Sequence, residues 1–118
     1  MCIIIKLRRC NMAKKIRPQE ILKEQAQKFL SKVPEEHAFW CHDGNMFRDM
    51  KGLAEGLVTM SDEVFAYHAN PEKSDFSNWV RNVLEDEMLA NNLATTSIKA
   101  QAAWFVATRL AFLTGKVV

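Results

Sequence analysis

Near its C-terminus the chain reads SIKAQAAWFVATRLAFLTG. From Ala100 to Leu113 only Gln101, Thr108 and Arg109 interrupt the apolar residues. Ser97 suits an N-cap and Gly115 a C′ glycine, so the spacing predicts a helix over about 98–114. It is apolar on nearly every face. A membrane span takes about 20 apolar residues; this run is shorter and holds an arginine, so it does not read as a span. The expectation is a central buried helix. The alternative is that one apolar face pairs with another chain, with Trp104, Arg109 and Phe112 as contact residues.

The rest of the chain supplies what could surround that helix. PQEILKEQAQKFLSKV, residues 18–33, begins with a proline suited to a first helical position and carries Leu22, Ala26, Phe29, Leu30 and Val33 on one stripe. AFWCHDGNMF turns at Asp43-Gly44 and predicts a small hairpin with arms near 38–42 and 45–47. An isolated hairpin is marginal in water, so its apolar side must lie on helices. A helix over 48–60 follows. Its Gly52 and Gly56 lie four apart; two glycines on one face suggest that another backbone packs closely there or that a partner binds there, and the plain alternative is two tolerated glycines. Ser61 caps a short helix over 62–69, with Asp62 and Glu63 complementing its dipole. Asn70-Pro71 ends it, residues 70–74 form a loop, and a helix over 75–86 carries Phe76, Trp79, Val80, Val83 and Leu84 as its stripe. A short helix near 87–94 precedes the last one. The reading is a mainly α single domain of five or six helices with one hairpin. The domain covers 18–115, behind a basic extension over 1–17. The expected core includes Leu22, Phe29, Phe39, Phe47, Leu53, Leu57, Phe65, Phe76, Trp79, Val83, Leu93, Phe105 and Leu110. The 118 residues are enough to bury such a core without disulfides or metal.

Charge is uneven. Residues 1–32 carry a net +7, residues 33–90 a net −8 and residues 91–118 a net +3. A basic arm on an acidic body suits either self-complementary packing or phosphate binding through Lys14, Lys15, Arg17, Lys23 and Lys28. A solvated helix face is the plainer account of those lysines. The opening MCIIIKLRRCN has too short an apolar run for a signal peptide, and its charges follow that run. Met12 is a plausible alternative start. Cys2, Cys10 and Cys41 form no CxxC pair, which argues against a disulfide framework and a structural zinc site and for a reducing cytoplasm.

For chemistry, His68 and Asp75 suit a base and its orienter, but no nucleophile turn, HExxH or P-loop accompanies them. The better reading is a latch: the imidazole donates to Asp75 or to a loop carbonyl and, with Trp79, ties helix 62–69 to helix 75–86. No catalytic residue is assigned. His37, Cys41, His42 and His68 are the available metal ligands, but side chains alternate along a strand, so 37, 41 and 42 cannot all point one way. No metal and no cofactor are expected. The two helices around residues 70–74 superficially suggest helix-turn-helix, yet they sit in the acidic body, where a groove reader needs basic flanks.

FWCHDGNMF, then LAEGL, then MSDEVFAYHANPEKSDFSNWVRNV resembles a family of small prokaryotic helical domains without assigned function. Their pattern is an aromatic-DG hairpin followed by a block like MSDExFxYHxNxxKxDFxNWVRxV. The match covers residues 39–86, and the aromatic-histidine and DFxNWV elements are its specific part. The resemblance implies a binding or accessory module and brings no catalytic residues. The function expected is a non-catalytic interaction or regulatory module that self-associates through the last helix, with no membrane partner; the alternative is a nucleic-acid-associated protein using the basic arm.

Overall fold

The computed structural model describes residues 22–117. Lys14, Lys15, Arg17 and the expected extension over 1–17 lie outside the described residues. The protein is mainly α, with small two-residue strand pairs. Helix α1 is Lys23–Leu30 and a 3-10 turn is Glu35–His37; β1 (Phe39–Trp40) pairs antiparallel with β2 (Met46–Phe47). Helices α2 (Met50–Thr59) and α3 (Asp62–His68) follow. Then β3 (Ala69–Asn70) pairs with β4 (Lys73–Ser74). Helix α4 (Asp75–Trp79) widens into a π turn (Val80–Leu84), and α5 (Glu87–Ala94) and α6 (Lys99–Val117) complete the order.

The helix starts have local causes. Asp49, Ser61, Ser74 and Asp86 each accept a hydrogen bond from the backbone N–H three residues on, the N-cap bond that satisfies a donor the helix cannot. At α6 the oxygen comes from Thr96, which accepts from Ile98 N–H at 3.0 Å, and not from the expected Ser97.

The first hairpin pairs Phe39 with Phe47 and Trp40 with Met46. Gly44 takes the left-handed φ of +96° that the tight turn requires, and Asp43 accepts from Asn45 N–H. The segment read as a loop over 70–74 holds a second tight hairpin. Asn70 accepts from Glu72 N–H, and Pro71 sits at the corner.

Three expectations are corrected. The first helix does not run over 18–33. Leu22 is extended and 59% exposed, outside the core. The helix also stops at Leu30, because Val33 exchanges hydrogen bonds with Arg48: Val33 N–H donates to the Arg48 carbonyl and Arg48 Nε donates back. Gly115 is not a C′ glycine; α6 continues through it to Val117, with open space beside it. Helix α6 is also not central. It packs on α1, α2 and α5 along one seam, burying Ala102, Val106, Arg109 and Leu113 at i, i+4, i+7 and i+11.

One cluster of buried residues forms the core; it includes Ala26, Met50, Leu53, Leu57, Leu89 and Leu93 together with Ala102, Val106 and Leu113 of α6. Around the hairpins lie Phe39, Phe65, Phe76 and Trp79; Phe39 stacks on Phe76 at 5.0 Å and meets Trp79 edge-on at 6.0 Å. Phe29, Val83, Phe105 and Leu110 pack at its margin, half-buried.

Candidate functional site

His68 comes from the last turn of α3 and is 5% exposed. Its Nε2 accepts from the backbone N–H of His42 at 2.9 Å, which requires a lone pair there. The ring proton therefore sits on Nδ1 and is donated to Asp75 Oδ2 at 3.0 Å. Lys73 Nζ reaches the same carboxylate oxygen at 3.1 Å. The imidazole thus joins the first hairpin, α3 and the start of α4, and neither nitrogen is left over for a substrate. Trp79 adds a parallel tie, its indole N–H donating to the His37 carbonyl at 2.8 Å. Outside this centre, His42 stacks on exposed Tyr67 at 3.9 Å.

Burial is the chief cause that raises the Cys41 thiol above its ordinary range. The Asn45 backbone N–H is the chief cause that lowers the Asp43 carboxyl. Among the described residues no group of three or more His, Cys, Asp or Glu could hold a metal ion.

The expected Gly52/Gly56 contact face is corrected. The Phe47 ring lies where a Gly56 Cβ would be, and Phe47 and Asp49 border Gly52. An aromatic ring of the same chain therefore fills the space at Gly56, while Gly52 is half-buried.

Arg109, expected at a contact surface, is 8% exposed. It makes a two-pronged bond with wholly buried Asp86: Nε to Oδ2 at 2.7 Å and Nη2 to Oδ1 at 2.9 Å. Asp86 Oδ1 also caps α5. The chain delivers Asp86 inward through the π turn and Glu85, whose φ of 66° is left-handed. The Asp86 N–H then closes on the Val80 carbonyl, a helix-end pattern in which glycine is usual. This pair was not read from the sequence. Its signal was present: a lone arginine inside an apolar helix must find a carboxylate.

Arg109 also forms the base of a groove of about 310 Å³ between α5 and α6, walled by Met88, Asn92, Trp104, Phe105, Thr108 and Phe112. Trp104 stands at its edge, 63% exposed. Its helix shows a continuous outer stripe, Ala100, Gln101, Trp104, Ala107, Thr108, Ala111, Thr114 and Gly115, with no charged residue. Of the residues expected to contact phosphate, two are among the described residues: Lys23 is exposed, and Lys28 Nζ lies 2.7 Å from the Glu85 carboxylate.

Among the described residues no helix is long and apolar enough to cross a membrane. No family model matches the chain, and neither does any curated protein or solved structure.

Proposed function

We propose that the protein is a non-catalytic interaction or regulatory module of the cytoplasm that self-associates through the outer face of α6. One observation carries the reading. An exposed helix face about four turns long holds a large aromatic and no charge. Solvated helix faces usually carry charges, and rimmed apolar patches mark contact sites. The occupied ring nitrogens of His68 support a structural role for that residue. The resemblance of residues 39–86 to small helical accessory domains points the same way.

Sedimentation equilibrium of the full chain at low and high salt tests it. Apolar self-association survives added salt. A chain that stays monomeric at tens of micromolar overturns the reading. Binding to nucleic acid that collapses steeply with salt would instead make the basic arm the working element.

A further inference from the structure

This inference rests on the self-association reading and identifies its site. Trp104, the most exposed of the three tryptophans, borders an apolar groove built partly by its own helix. At the base of that groove Arg109 Nη1 has one acceptor among the described residues, the thioether sulfur of Met88 at 3.6 Å. That is a weak acceptor for a guanidinium nitrogen of a side chain more than nine-tenths buried. We infer that Trp104 of one copy enters the α5–α6 groove of a second copy and lays its indole face over Arg109 Nη1, while the second copy does the same in return.

Chemistry selects this occupant. Asp86 already neutralises Arg109 through two bonds. An acidic ligand would bring an uncompensated charge into an apolar groove, which is costly. An aromatic face accepts a guanidinium without adding charge, and tryptophan does so best. Arg109 already lies within 5.6 Å of the Phe112 ring centre and 5.9 Å of that of Phe29, so the indole completes an aromatic surround. Asn92 and Thr108 on the groove wall offer oxygens to the indole N–H.

Symmetry selects a second copy over an unrelated helix. A two-fold contact needs projection and recess on one patch, so that both exchanges occur together. An antiparallel α6 pair with its axis between Ala107 and Thr108 sets Trp104 opposite Ala111 and Ala100 opposite Gly115. Each bulky or close position then faces a small one. Helix axes can approach toward the short end of the roughly 8–10 Å range. Neither stripe carries a charge to repel its copy.

The test is sedimentation equilibrium of the full chain and two variants at exposed positions. Trp104→Ala removes the projection. Asn92→Phe fills the recess from α5, away from the α6 seam. Each alone should weaken self-association by about tenfold or more. Their equimolar mixture should associate more tightly than either, because one tryptophan again meets one open groove. Circular dichroism melts matching wild type show that both fold; Trp104→Gln replaces Trp104→Ala if that variant melts early. A wild-type chain that associates while Trp104→Ala associates equally well overturns this site and leaves self-association standing. A mixture no tighter than its parts overturns the reciprocal exchange. A wild-type monomer overturns both this inference and the reading beneath it.

Discussion

Two polar pairs among the described residues solve one problem in opposite ways, one half-buried and one fully buried. At His68–Asp75 a neutral ring is closed on both sides, by the His42 backbone N–H and by the Asp75 carboxylate. At Asp86–Arg109 two full charges are taken out of water, and one guanidinium nitrogen is left with only sulfur. The first pair is complete within the chain; the second is complete for Asp86 and incomplete for Arg109. A closed pair holds elements together, whereas an open one also makes a demand on whatever comes next to it.

The largest effect should come from breaking the open pair. Asp86→Ala strands a buried guanidinium and uncaps α5, so urea unfolding should report a loss of about 3–5 kcal/mol. Replacing both partners, Asp86→Ala with Arg109→Leu, should recover much of it; a double variant as unstable as the single one would mean that the cap, not the charge, dominates. His68→Gln should cost on the order of 1–3 kcal/mol, since the Asp75 carboxylate and the His42 N–H lose a shared partner. An unchanged midpoint would break the comparison, because His68 would then not be holding the hairpin. Gly56→Ala forces the Phe47 ring aside. Overpacking of roughly 1–3 kcal/mol is offset by about 1 kcal/mol of helix propensity, so a net loss near 1 kcal/mol is expected in the thermal midpoint. Trp104→Ala should change the stability of the single chain by less than about 0.5 kcal/mol while weakening association. A large loss of stability at low concentration would show that Trp104 belongs to the core.

Much of the hairpin and helix segment over 39–86 was legible because its signals are local. Asp43-Gly44 marks a turn, Ser61 is a cap, and His68 and Asp75 are only seven residues apart. The helix over 18–33 was misread because Val33 leaves it for Arg48, a partner 15 residues away that periodicity cannot see. Gly56 was read as room for a backbone, whereas the room is filled by the Phe47 ring; the chain pattern records small size and not the filler. Arg109 shows the same limit at the candidate site. Its presence in an apolar helix announces a partner, but nothing along the chain singles out Asp86, 23 residues earlier, over the neighbouring Glu85 and Glu87. The outer stripe of α6 was hidden by a related ambiguity, because a helix lined with alanines reads as apolar all round whether or not anything covers it.

The tie between Trp79 and the His37 carbonyl has an optical consequence. Trp79 is buried at the junction of hairpin and helix, while Trp40 and Trp104 stand in water. The folded chain therefore carries three emitters in two kinds of surroundings. A Trp40→Phe, Trp104→Phe protein would glow from the junction alone, and its change in colour on unfolding would time the moment the hairpin lets go.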